Sequence, residues 1–324
     1  MIEMRSVTRT YGDLVALDNL TLEIGEGEVF GFIGPNGAGK STTMKILACL
    51  LTPSKGVAKV GGHDVTTDGD RIRRLVGYMP DFLGVYDDLM VDEYLQFFAA
   101  AFGIPRARRR AVVDGVLELT DLTDKRDAMV DSLSRGMQQR LGVARVLIHD
   151  PKVLLLDEPA SGLDPRARIE MRELLQELGR MGKTIMVSSH ILSELAEMCT
   201  SIGIIEKGKL LYAGSIEDAY TRTQAGERIA VTLEPGGATL EQAEAALAAV
   251  PGVASVTREA GPGRDNGDTA GHAATLVVEL SPGVRSHHAL IEALVRCGAR
   301  IGAFTPRQVK LEDAFLRLTK GALN

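Results

Sequence analysis

The sequence predicts an α/β fold with a mostly parallel sheet, followed by a smaller α+β unit. Three observations carry this. Short apolar runs alternate with helical patterns over the first two-thirds of the 324 residues. Such spacing marks parallel strands covered by helices. A glycine-rich turn joins one of these strands to one of these helices. Near residue 222 the composition changes, and "TRTQAGER" reads as a polar linker. The predicted units are 1–222 and 223–324.

The elements follow in order. "IEMRSVTRTYG" and "LDNLTLEIGEGE" alternate polar and apolar residues and predict antiparallel strands at one edge. "EVFGFIG" at 28–34 is a buried strand, and "KSTTMKILACLL" is the helix after it. "KVLLLDEP" at 152–159 and "KTIMVSSH" at 183–190 are two more buried strands, with the amphipathic "PRARIEMRELLQELGRMG" between them. Beyond the linker the rhythm changes. "RIAVTLE" is strand, "TLEQAEAALAAV" helix, "VASVTRE" and "AATLVVELS" strands, "HHALIEALVRCG" helix and "RIGAFTP" strand. This order is the ferredoxin-like split pattern. "AGPGRDNGDTAGHA" at 260–273 predicts a hairpin loop, and "LEDAFLRLT" a last helix.

Bulk properties remove some function classes. Apolar residues make up 45% and charged residues 25%, which suits a folded core without disulfides. The net charge of −6 argues against a chain that coats nucleic acid. Trp is absent and aromatics are 4%, so no stacking platform for bases is evident. "RARRR" at 106–110 reads as the solvated face of a helix. Cys49, Cys199 and Cys297 form no CxxC pair, and each reads as a buried inert thiol in a reducing compartment. "MIEMRSVTRTYGD" lacks an apolar signal core, and no run of about 18 apolar residues offers a membrane span. Work at a membrane then requires a partner.

The chemistry sits at strand ends. Gly34-Pro35-Asn36-Gly37-Ala38-Gly39-Lys40-Ser41 fits GxxxxGK[ST] between a strand and a helix. Glycines let backbone N–H groups turn inward, and with the helix N-terminus they form a site for nucleotide phosphates. Lys40 reaches the terminal phosphates, and Ser41 offers a hydroxyl to Mg²⁺. Asp157 and Glu158 end a buried strand, where open α/β sheets present ligand residues. Asp157 suits an outer Mg²⁺ partner, and Glu158 a base that polarises water. His190 ends the next strand, beside the terminal phosphate. "DSLSRGMQQRLGVARVL" at 131–147 starts a helix, where Ser134 is either a phosphate ligand or only an N-cap.

Together these residues resemble the ATP-binding cassette family, the motor subunits of ABC transporters. The resemblance covers roughly residues 1–220. Tyr11 is similar to the adenine-stacking aromatic, and Gly34 to Thr42 to the Walker A loop. "LSRGMQQR" at 133–140 resembles the family signature, "VLLLDEP" the Walker B strand, "SGLD" at 161–164 the D-loop, and His190 the switch histidine. The resemblance implies a helical subdomain, and ATP and Mg²⁺ as cofactors. It also implies two cassettes paired head to tail, with Ser134 and Gly136 acting on the partner's ATP. Two departures stand out. Arg135 and Met137 replace the glycine and glutamine of the common LSGGQ. Asp81 stands where the family has glutamine, so it either offers an oxygen to Mg²⁺ and the attacking water or only fills a polar loop.

The tail "KLEDAFLRLT" at 310–319 resembles that of drug and antibiotic exporter ATPases. The expected function is therefore an ATP-hydrolysing subunit on the cytoplasmic face of the membrane, driving a separate multi-span permease, with no nucleic acid partner. Phe82, Val85 and Tyr86 either receive that permease or pack inside the helical layer, and Asp87 belongs to the receiving segment. Competing readings are a soluble cassette ATPase of translation or repair, and a regulatory module whose tail senses a ligand. Translation-type chains usually carry two cassettes, and repair types carry coiled coils or zinc ligands. The intact Glu158 favours an active ATPase.

Overall fold

The computed structural model describes residues 1–307 apart from 83, 85–87, 219–226, 260–273, 282–283 and 285–286. Val85, Tyr86, Asp87, the predicted hairpin loop and the predicted last helix lie outside the described residues. The chain divides into two compact units, Met1–Ile216 and Glu217–Lys320.

The first unit opens with strands β1 (Ile2–Tyr11), β2 (Leu14–Ile24) and β3 (Val29–Ile33). Helix α1 (Lys40–Leu47), β4 (Lys55–Val60), β5 (His63–Asp64), α2 (Gly69–Leu75) and β6 (Val76–Met79) follow. Three helices come next: α3 (Val91–Ala101), α4 (Arg106–Leu119) and α5 (Arg135–Leu147). The unit closes with β7 (Val153–Asp157), α6 (Pro165–Arg180), β8 (Thr184–Ser189), α7 (Leu192–Ala196), β9 (Ser201–Glu206) and β10 (Lys209–Ser215).

The main sheet has the order β10-β9-β3-β8-β7-β6, parallel throughout except for the β10–β9 edge pair. Strands β3, β7 and β8 are buried at every residue, which is why their sequences run apolar without alternation. The antiparallel strands do not extend that sheet. They form a second sheet of order β2-β1-β4-β5. One apolar cluster joins the two sheets, running from Ile2, Leu20 and Val60 through Met44 and Leu47 of α1 to Phe32 and Leu155. The alternation in β1 and β2 arises because one face meets this cluster and the other meets water.

Helices α3, α4 and α5 make a separate layer. Tyr94 is fully buried and meets Phe98 edge-on at 4.9 Å, while the Arg145 guanidinium lies 5.3 Å from the Phe98 ring. Arg126 ties α3 to α4 by binding both Asp92 and Asp114. "RARRR" forms the mostly exposed start of α4, where the Arg109 side chain donates to the Ile104 carbonyl at 2.8 Å. The three cysteines are free and half-buried rather than buried, and burial pushes the Cys199 thiol up to about 12.

The second unit contains β11 (Arg228–Glu234), α8 (Leu240–Ala248), β12 (Val253–Glu259), β13 (Ala274–Leu280), α9 (His287–Arg296) and β14 (Arg300–Arg307). Its sheet order is β12-β13-β11-β14, antiparallel at every pair. It has its own core, in which Ile229, Val231, Leu276 and Val278 face Leu247, Leu290 and Leu294.

Where β3 ends, the chain runs against β9. A Cβ on Gly34 would strike the backbone carbonyl of Ile205, and it would sit 2.9 Å from that residue's Cγ2. Backbone cannot yield as a flexible side chain can. Gly34→Ala should therefore destabilise the first unit by about 1–3 kcal/mol. Urea unfolding of the full chain, followed by far-ultraviolet circular dichroism, measures this. An unchanged transition would show that the close approach is relaxed at no cost.

Candidate nucleotide site

The site forms where β3, β7 and β8 end side by side. Pairing of Ile33 with Ser189 and of Asp157 with Ser188 sets the three strand ends level. Between β3 and α1 the loop turns tightly. Gly37 has φ 80° and Gly39 has φ 112°, conformations that L side chains rarely adopt. A Cβ on Gly39 would meet Leu17 Cδ2 at 2.7 Å and the Ala16 carbonyl at 2.8 Å. At Gly37 nothing lies within 4 Å, so that glycine is required by its backbone angle alone.

The loop walls a cavity of about 460 Å³. Pro35 to Thr42 form one side, and Tyr11, Leu14, Val15 and Ala16 form an apolar shelf. Asp81, Glu158 and Lys207 complete it. Cradle, shelf and cations together suit a nucleotide: phosphates on the N–H groups and Lys40, base on the shelf. Tyr11 is 41% exposed, and the Arg9 guanidinium lies 4.7 Å from its ring centre. Arg9 is itself fixed by donating to the Thr52 carbonyl at 2.8 Å. One arginine thus sets the ring's pose.

Lys40 is buried, and its Nζ donates to the Gly34 carbonyl at 2.6 Å. It also pairs with Glu158 Oε1 at 3.2 Å. The other carboxylate oxygen of Glu158 lies 2.9 Å from His190 Nδ1. Loop lysine, strand-end carboxylate and histidine are therefore linked in series. Glu158 takes a left-handed backbone angle, φ 52°, which costs a non-glycine residue about 1–3 kcal/mol. Ser188 holds it there. The Ser188 hydroxyl accepts from the Glu158 N–H at 2.9 Å and donates to Asp157 Oδ1 at 2.6 Å.

The predicted residues separate into three groups. Tyr11, Pro35, Asn36, Gly37, Ala38, Gly39, Lys40, Ser41, Thr42, Asp81 and Glu158 line the cavity. Gly34, Asp157 and His190 stand just outside its wall and reach it through Lys40, Ser188 and Glu158. Ser134 and Gly136 do not join the cavity. Ser134 is exposed and caps α5 by accepting from the Met137 N–H at 3.3 Å. Leu14, Val15, Ala16, Lys207 and Ser188 escaped the sequence reading. Ser188 left a signal, because "TIMVSS" buries three hydroxyls, two of them adjacent at its end. A lysine in the β9–β10 turn left none.

Negative charge gathers on one wall. The Asp81 carboxyl lies above its ordinary range, first because water is partly excluded from it and then because Asp157 and Glu158 repel its charge. Arg135 and Lys40 act in the opposite sense. Such a wall fits a divalent cation. Among the described residues no three His, Cys, Asp or Glu side chains converge into a metal cage.

Residues 17–161 match the family described as ABC transporter. The Nod factor export ATP-binding protein I of Cupriavidus metallidurans is 40% identical over 214 residues, which is 66% of this chain and 71% of that protein. The probable multidrug ABC transporter ATP-binding protein YbhF of Escherichia coli is 36% identical over 234 residues, 72% of this chain and 40% of that protein. Among solved structures, the dimeric post-hydrolysis state of the ATP-binding cassette MJ0796 bound to ADP and Pi superposes with a TM-score of 0.61. That match has 27% identity and covers 67% of this chain and 99% of that one.

Ser188 carries two buried hydrogen bonds, so its loss is a sensitive test of this geometry. Ser188→Ala should cost about 1–3 kcal/mol, because the Glu158 N–H loses its acceptor and Asp157 its donor. Chemical denaturation checks the stability. ATP turnover should fall as well, since the Glu158 turn is no longer pinned. A variant as stable and as active as the parent would refute the role of this hydroxyl.

Proposed function

The chain belongs to the ATP-binding cassette family, and we propose that it is the ATP-driven motor of an exporter whose membrane-spanning part is a separate chain. One observation carries this. Lys40, Glu158 and His190 are joined in series at a nucleotide-sized cavity, while the exposed Ser134 and the half-buried Gly136 stand at the start of α5, outside it. A phosphate ligand set split in this way is completed by a second copy, whose signature turn reaches the first copy's ATP.

Each side chain then has a task. The loop N–H groups and Lys40 hold the phosphates. The approach of phosphate draws Lys40 away from Glu158, freeing Oε1 to take a proton from the attacking water. His190 holds the other oxygen and turns the carboxylate toward the bond that breaks. Mg²⁺, held by Ser41 and Asp81 with Asp157 behind them, would neutralise charge on the transferred phosphoryl group. Tyr11, backed by Arg9, carries the adenine.

Among the described residues no helix is long and apolar enough to cross a membrane. Transport therefore needs a membrane partner, and we place this chain on its cytoplasmic face. Export is favoured because the relatives above carry export and multidrug names. Phe82 is 85% exposed beside the Asp81 loop, which suits a docking face for that partner. The second unit, read as a ferredoxin-like accessory domain, steadies the dimer or the membrane contact. A nucleic acid partner is not part of this reading.

Glu158→Gln tests the assignment. It removes the base and keeps the shape. Turnover should fall by roughly 10²–10⁴-fold while ATP still binds. With product formation stalled, an ATP-dependent dimer should appear by size-exclusion chromatography. Full turnover in this variant would overturn the role of Glu158.

A further inference from the structure

Arg135 is the first residue of α5, between Ser134 and Gly136. Its guanidinium lies over the 161–164 turn. A Cβ built on Gly162 would sit 2.5 Å from Arg135 Cζ, and 2.6 and 2.7 Å from its two terminal nitrogens. Three nearly equal distances mean that the guanidinium plane faces the glycine flat-on. Gly162 itself has φ 67°.

The 161–164 turn is tied to the backbone of Glu158, the residue that carries the water-activating carboxylate. The Ser161 N–H donates to the Glu158 carbonyl at 3.0 Å, and the Leu163 N–H to the Ala160 carbonyl at 3.3 Å. Farther along, Asp164 caps α6 by accepting from the Ala167 N–H at 2.9 Å. A Cβ on Gly136 would lie 2.7 Å from Ala167 Cβ. The starts of α5 and α6 are therefore clamped at two points, one of them the guanidinium.

We propose that Arg135 is a positioning residue that joins the signature turn to the Glu158 turn of the same chain, so that a partner's ATP bound at Ser134 and Gly136 adjusts this chain's own hydrolytic carboxylate. This rests on the reading that Ser134 and Gly136 reach a partner's ATP. A planar, rigid cation suits the task better than lysine, whose ammonium is a point charge on a flexible stem.

The test is a double-mutant cycle on the full chain, reading ATP hydrolysis. With Arg135 present, Gly162→Ala drives a methyl group into the guanidinium and should lower kcat about tenfold. In the Arg135→Gly background that obstacle is gone, and the same change should cost less than about threefold, the residue of backbone strain. Equal factors in both backgrounds would overturn the proposal. Should Gly162→Ala fail to fold, Arg135→Gly alone decides. It should leave binding of a fluorescent ATP analogue within about twofold, and bring the Hill coefficient for ATP down to about 1. An unchanged kcat and Hill coefficient would overturn it. Ser134→Arg keeps the two outcomes apart. Full cooperative turnover in that variant removes the partner-ATP reading itself, whatever Arg135 does.

Discussion

The carboxylate of Glu158 is the point on which the rest depends. It is nearly buried, held by a lysine on one oxygen and a histidine on the other, on a backbone turn that costs energy to maintain. Three strands must end level for this to happen. Parallel pairing supplies the alignment, and the Ser188 hydroxyl locks β8 to the end of β7. The strain at Glu158 is offset in part by the Ser188 hydroxyl, which accepts its N–H.

From that point the constraints spread outward. Lys40 can reach Glu158 only if the phosphate loop folds back tightly, which demands glycine at positions 34 and 39, where backbone and side chains leave no space. The 161–164 turn hangs from the Glu158 carbonyl and meets Arg135 of the signature turn. Chemistry on the cavity side and recognition on the exposed side are thus separated by a few well-packed residues. In the proposed motor, events at a second chain reach Glu158 through these residues.

Much of this was legible in the sequence, for physical reasons. Strands buried on both faces show apolar runs without alternation, so β3, β7 and β8 read clearly, and the acids and histidine at their ends stood out against them. Capping chemistry marked the start of α5 through Ser134, whereas the Asp164 cap of α6 came only with the structure. Other features depended on contacts distant in the chain. The antiparallel strands read as an edge of the main sheet, because alternation reports one buried face and not what covers it. Ser188 left polar atoms in a buried strand as its signal, but Lys207 reaches the site only through pairing of strands far apart in sequence, which no local pattern encodes. The opposition of Arg135 and Gly162 is of the same kind: 27 positions apart, they meet because α5 and α6 start side by side.

The central claim is that one working site needs two chains. Mixing two inactive variants measures this directly. Lys40→Ala destroys the phosphate grip and keeps the signature turn. Ser134→Arg blocks the signature turn and keeps the grip. Each should be nearly inactive alone. Mixed in equal amounts, they form pairs in which the Lys40 of one chain faces the Ser134 of the other, and ATP turnover should rise well above the sum of the separate rates. A mixture of folded variants that stays at that sum would contradict the shared site.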